Sequence, residues 1–165
     1  MDRHTPNQRS FNMSRVRSRG NAATEGKFAA ILTRADVRGW KPGHEGFGSP
    51  DFVFPGLQLA IFIDGCFWHA CPRCFKLPES NTAFWRAKIQ RNVRRDREVD
   101  RGLRHRSWTV LRIWEHELRD PQSVVPKVQM AIRTASQATM RPQRRLLRSR
   151  RRKTHASVEE TRSRP

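Results

Sequence analysis

No stretch of this chain approaches the roughly 20 consecutive apolar residues of a membrane-spanning helix, so no membrane role is expected. The opening residues, MDRHTPNQRSFNMSRVRSRG, lack the apolar core of a secretory signal. Cysteine is scarce and confined to one place: Cys66, Cys71 and Cys74 fall within nine residues. An odd number in one cluster argues against a disulfide framework and for a metal site in a reducing compartment, so a cytoplasmic location is expected. Acidic residues are few, 15 against 34 Lys and Arg, leaving a net charge of +19 and a pI near 11.7. That imbalance predicts a polyanionic partner, most simply nucleic acid. No internal repeat is found. What is present is 36% hydrophobic residues, with nine Phe and five Trp. This builds a core for one domain of 165 residues, though not a generous one, and a structural metal would help it.

Three regions are expected. Residues 1–20 form a basic arm whose large apolar residues are Phe11, Met13 and Val16. Residues 21–140 form the folded domain. Residues 141–165, with ten Lys/Arg against two Glu, form a disordered basic tail that adds salt-sensitive attraction to phosphates.

Within the domain, Asn21 or Thr24 caps a helix to about Ala35, with Phe28, Ile31, Leu32 and Ala35 as its core stripe. Glu25 sits in its first turn, where the helix dipole favours a carboxylate. Residues 39–50 read as loop. Asp51–Phe54 reads as a short strand, Pro55-Gly56 as a turn, and Leu57–Ile63 as a strand covered on both faces. A helix from about Thr82 to Leu103 presents Trp85, Ile89 and Val93 on one face and a row of arginines on the other. Trp108–Trp114 reads as a strand. Asp120-Pro121 opens a last helix. The order predicts an α/β fold, a small central mixed sheet flanked by helices on both sides.

The chemistry concentrates between Pro50 and Cys74. Three cysteines at C-x4-C-x2-C spacing are a good thiolate set, but tetrahedral zinc wants a fourth ligand. His116, just past the strand 108–114, and His69, inside the cluster, both qualify. With four protein ligands the zinc is structural and does not activate water. Asp51 at one strand's start and Asp64 at the next strand's end are brought side by side by a hairpin. With a main-chain carbonyl near Ile63 they suit Mg²⁺, which takes hard oxygen ligands. His69, five residues on, is well typed for a general base near neutral pH. Phe67, Trp68 and Trp85 can stack on bases or wedge between them.

These residues resemble the very-short-patch repair (Vsr) endonucleases, the bacterial DNA mismatch endonucleases. The matching pieces are Arg9-Ser10 with Asn12-Met13, Thr24-Glu25, Pro50-Asp51-Phe52-Val53, Gly65-Cys66-Phe67-Trp68-His69 and Phe84-Trp85. They continue through Lys88-Ile89, Asn92-Val93, Arg95-Asp96, Gly102, Trp108, Val110 and Ile113-Trp114-Glu115, in register over about residues 5–135. The resemblance implies a restriction-endonuclease-like PD-(D/E)XK fold and nicking of one strand of double-stranded DNA 5′ to the T of a T·G mismatch. It implies catalytic Mg²⁺ on Asp51 and the main-chain carbonyl of Ile63, and His69 as the base. Glu25 supports the site, and Asp64 takes the place of the second acidic residue. Structural Zn²⁺ then maps to Cys66, Cys71, Cys74 and His116. The wedge maps to Phe67, Trp68 and Trp85 with Met13 from the arm, and Lys88 and Asn92 read the mismatched bases. A monomer is expected. There are three departures. The best-known members have a histidine where this chain has Asp64, the lysine of the wider nuclease pattern falls at Cys66, and some relatives have a nearby cysteine in place of His116.

Two readings compete with the nicking enzyme. One is a zinc-braced DNA-binding module without hydrolytic activity. The other is an RNA-associated basic protein, for which the PD and GCFWH motifs are coincidence.

Overall fold

The structure, a computed structural model, describes residues 22–43 and 46–159, with side chains over 24–43 and 46–140. The element order is a π-helical turn (Ala22–Gly26), helix α1 (Lys27–Arg34), strands β1 (Lys41–Pro42), β2 (Phe52–Phe54) and β3 (Leu59–Asp64), helix α2 (Thr82–His105), strand β4 (Thr109–Trp114) and helix α3 (Pro121–Glu159). The strands form one mixed sheet in the order β1-β2-β3-β4. β1 and β3 pair antiparallel with β2, and β4 pairs parallel with β3.

The apolar run that predicted a doubly covered strand is the centre of this sheet. Side chains alternate across a strand, and β3 obeys this. Leu59 and Ile61 join Phe28, Ile31 and Leu32 of α1 and Val124 and Val128 of α3 in the main core. Ala60 and Phe62 point the other way, against Leu103 and Val99 of α2. Helices therefore cover both faces, as expected for α/β. The strand begins two residues later than its composition suggests, because Pro55–Leu57 closes a 3-10 turn and Gln58 takes a left-handed φ of 50°. The stretch expected as loop, 39–50, contributes the two-residue strand β1 at the sheet edge, where a proline is tolerated. The last helix begins at Pro121 as read, with Asp120 Oδ1 accepting from the Gln122 N–H at 3.1 Å. Its backbone runs past the boundary expected at residue 140, and side chains beyond that point lie outside the described residues. So does the whole arm, residues 1–20.

The loop before β2 is seated on α2 by two close approaches. Gly48, at φ +80°, would bring a Cβ to 2.3 Å from Val99 Cγ1, and a Cβ on Gly102 would meet the Phe47 ring at 2.4 Å. Phe47 in turn stacks on the Arg106 guanidinium at 4.2 Å. These contacts set where Ser49 and Asp51 stand relative to α2. Gly48→Ala combines a left-handed backbone with a core clash and is expected to cost about 2 kcal/mol. An unchanged thermal midpoint would contradict that.

Candidate active site and metal cluster

The alternation that buries Phe52 and Phe54 against α1 and α3 turns Asp51 toward the α2 side of the sheet. On β3 the same rule sends Asp64 to that side with Phe62, and on β4 it sends Arg112, which pairs with Phe62 in register. One pocket of about 440 Å³ results, lined by Asp51, Asp64, His69, Arg95, Asp96 and Arg112 among others. Asp51 is held by its own hairpin: the Ile63 N–H donates to Asp51 Oδ2 at 2.6 Å.

His69 is brought in by the turn after β3, where its N–H donates to Gly65 O at 3.2 Å. Its Nδ1 lies 2.6 Å from Asp96 Oδ2 and 3.8 Å from Asp64 Oδ1. Burial pushes the Asp96 carboxyl up, but the hydrogen bond and charge of His69, with the charge of Arg112, outweigh it and hold Asp96 below its ordinary value. An ionised Asp96 accepts, so Nδ1 carries the hydrogen and Nε2 is the nitrogen left to take a proton.

Asp64 is not simply a second open carboxylate. Arg112 Nη1 donates to both its oxygens, at 2.7 and 3.0 Å. Burial nevertheless leaves the Asp64 carboxyl above its ordinary value, against the pull of Arg112 and His69. The hairpin does place Asp51 and Asp64 around one pocket, as the sequence reading expected, but Asp64 is engaged from β4. Glu25 sits half-buried in the π-helical turn, outside the set lining this pocket.

The second cluster follows from the parallel pairing of β3 and β4. Asp64 and Trp114 are partners in register, so both strands end together and the residues after them meet. Cys66 N–H donates to Glu115 Oε2 at 3.2 Å, and Cys66 Sγ lies 3.2 Å from His116 Nδ1. Cys71 Sγ is 3.6 Å from the same nitrogen. Ligand atoms of Cys66, Cys71, Cys74 and His116 all fall within 4.8 Å of one another. Tetrahedral zinc with S and N ligands has edges of roughly 3.5–3.8 Å, so the donor set fits a soft cation in both chemistry and span. Burial pushes the Cys66 thiol up to about 12, and the neighbouring thiols add to this against a hydrogen bond from the His116 backbone. A cation bound here would take the place of the thiol protons, since the ligand form of cysteine is the thiolate. His116 is itself held by a 3-10 segment, Glu115–Arg119, in which Glu117 takes the Trp114 N–H at 2.8 Å and pairs with Lys127 of α3. Of the two histidines left open by spacing, His116 joins the cysteines and His69 goes to Asp96.

The aromatic residues stand together beside this cluster. Phe67 meets Trp68 and Trp85 edge-on, with centroids at 5.0 and 5.3 Å. Lys88 Nζ lies 5.4 Å from the Trp68 centroid, and Asn92 Nδ2 donates to Trp68 O at 3.0 Å. Five of the six residues expected to touch bases are thus neighbours, while Met13 lies outside the described residues. Along α2 a larger groove, about 1020 Å³, is lined by Arg86, Arg94, Arg97, Arg101 and Arg104 against Phe75 and Leu77 of the cysteine loop. The sequence reading named Asp96 within the matching piece Arg95-Asp96 but gave it no role at the site, and it did not single out Arg112. A signal existed for both. Arg112 is a charge inside the apolar strand TVLRIW, and Asp96 and Asp100 recur at helical spacing on the side of α2 that carries Val99 and Leu103.

A mixed α/β fold that sets a carboxylate–imidazole pocket beside an arginine-lined helix defines the class: a protein organised as a nuclease. A profile of the family described as DNA mismatch endonuclease Vsr matches residues 1–74. Among individual relatives, the type II nicking enzyme V.NmeDIP of Neisseria meningitidis serogroup C is 38% identical over 136 residues, 81% of this chain and 91% of that protein. DNA mismatch endonuclease Vsr of Escherichia coli (strain K12) is 38% identical over 120 residues, 72% of this chain and 76% of that protein. The type II nicking enzyme V.NaeI of Lentzea aerocolonigenes is 49% identical over 77 residues, 46% of each. The chain belongs to the Vsr family of DNA mismatch endonucleases. Membership places it among strand-nicking endonucleases.

Proposed function

We propose that this chain nicks one strand of duplex DNA 5′ to the T of a T·G mismatch, the lesion left by deamination of 5-methylcytosine, and so starts very-short-patch repair. One observation carries this reading: Asp51 and His69 face a single pocket, with Asp96 on His69 Nδ1, next to a cluster of half-exposed rings. The fold then corresponds to a restriction-endonuclease-like core, with β2, β3 and β4 as its working edge.

Asp51 and the main-chain carbonyl of Ile63 would hold Mg²⁺, a choice that fits hard oxygen donors. When bound, it neutralises charge on the scissile phosphate. His69 Nε2 takes the proton from the attacking water, while Asp96 keeps the imidazole in the tautomer that leaves Nε2 able to accept. Glu25, in the turn before α1 and outside the pocket lining, would support this site through water on the cation. Cys66, Cys71, Cys74 and His116 would hold structural Zn²⁺, and the loop they brace carries Phe67 and Trp68 to the base stack. Wedging between base steps costs a few kcal/mol, and a mismatched pair lowers that cost. Trp85 backs the wedge and Met13 joins it from the arm. Lys88 and Asn92, already set around Trp68, read the exposed bases. The arginines of α2 and the basic tail grip phosphates, an attraction that weakens with salt. Cutting one strand needs one active site, so a monomer suffices. Thiols that must stay reduced suit the cytoplasm. No helix among the described residues is long and apolar enough to cross a membrane.

The test is a duplex carrying one T·G pair, compared with its T·A and C·G controls, with and without Mg²⁺. Only the T·G duplex is expected to be nicked, on the T strand and only with Mg²⁺. Tight binding of the T·G duplex with no nick in Mg²⁺ overturns the reading in favour of a binding module.

A further inference from the structure

We propose that Arg112 is a positioning residue, which decides between two carboxylates for the His69 Nδ1 hydrogen by clamping one of them. The inference rests on the reading of His69 as the base. His69 Nδ1 has two acidic neighbours, Asp96 Oδ2 at 2.6 Å and Asp64 Oδ1 at 3.8 Å. Only the first holds the ring where the hydrogen bond is short. Asp64 is kept from competing because both its oxygens accept from Arg112 Nη1.

The clamp is itself held on several sides. Arg112 Nε donates to Asp100 Oδ1 at 3.0 Å, and Nη2 lies 2.9 Å from the same oxygen and 3.4 Å from the Asp96 carbonyl. Its Nη1 is 3.7 Å from Asp96 Oδ1, so Asp96 lies between the arginine and the histidine. The guanidinium plane rests over the Phe62 ring, 4.6 Å from its centroid. One cation thus ties β3, β4 and α2 around the pocket. A planar fork with five fixed donors suits this task, and an ammonium does not reproduce it. Asp64 is buried at the end of β3, so its charge needs a cation facing it, and Arg112 on the next strand faces it.

The experiment compares the full chain with R112M, R112K and the double variant D64N/R112M, using single-turnover nicking of the T·G duplex, its Kd without Mg²⁺, thermal midpoints and the NMR signal of the His69 ring nitrogens. R112M is expected to nick on the order of 10²-fold more slowly, the size of effect that misplacing a reacting group produces, with Kd within about threefold. The hydrogen-bonded Nδ1–H signal of His69 is expected to shift or broaden. D64N/R112M is expected to regain at least about tenfold in rate and a sharp Nδ1–H signal, because the competing carboxylate charge is gone. R112K keeps the charge without the fork and is expected to fall between. A folded R112M that nicks at the wild-type rate overturns the proposal. So does a slow R112M whose His69 signal is unchanged and whose rate D64N does not restore. Should R112M fail to fold, R112K and the double variant carry the same comparison. A wild-type chain that never nicks the T·G duplex defeats the proposed function instead, and the His69 signal in the four proteins still decides the role of Arg112.

Discussion

Asp51→Ala is expected to lower single-turnover nicking of a T·G duplex by on the order of 10³-fold or more, while the Kd for that duplex changes less than about threefold. The asymmetry follows from where the residue stands. Asp51 lines the pocket with His69 and is itself neither one of the rings nor part of the arginine groove that would grip DNA. The Ile63 N–H already fixes its carboxylate at 2.6 Å, so little ordering remains to be done when a cation arrives. Removing the side chain also leaves that N–H without this acceptor, a cost of about 1–3 kcal/mol. Asp51→Asn separates the two effects. It keeps an acceptor for Ile63 but loses the charge, and it is expected to be nearly as inactive as the alanine variant with a higher thermal midpoint. Equal loss of binding and nicking in the asparagine variant would mean that Asp51 serves the DNA interface rather than the chemistry.

Metal removal is expected to have the largest effect on the fold. The purified chain should contain one zinc per molecule. Its extraction, or Cys71→Ser, should lower the thermal midpoint by roughly 10 °C or more, since structural zinc sites contribute several kcal/mol and each kcal/mol moves a domain of this size by a few degrees. The reason is local. The segment from Gly65 to Leu77 supplies little to either core, and Cys71 is its one fully buried side chain. Without the cation, three thiols and an imidazole face one another and the turn that carries Phe67, Trp68 and His69 loses its brace. Trp68 and Trp85 report this directly, through a change in tryptophan emission on chelation that readded Zn²⁺ reverses. A metal-free protein with unaltered emission and midpoint would show that the cluster is not a structural site.

The run from Leu57 to Ile63 was readable as the middle of a sheet because it has no polar side to expose. The stripe Phe28-Ile31-Leu32 was readable as a buried helix face for the same reason. The three cysteines of the cluster were readable from their spacing, and the choice between His69 and His116 as their neighbour turned on strand direction. A parallel β3–β4 pair ends in register and delivers His116 to Cys66. Asp96 and Arg112 were less legible. Their partners lie 27 and 48 positions away in the chain. A charge inside an apolar strand announces that a counter-charge exists, but not which one.

Composition and short-range pattern by themselves pointed to a polyanionic partner, determined a sheet between helices and marked Pro50–Cys74 as the stretch richest in candidate site residues. These depend on charge, hydrophobic period and residue type, all of which are local. Only the tertiary structure decided that Asp64 is claimed by Arg112 and that His69 leans on Asp96. Those pairings are set by strand register and helix placement, which bring distant side chains within about 3 Å, the distance over which a hydrogen bond acts.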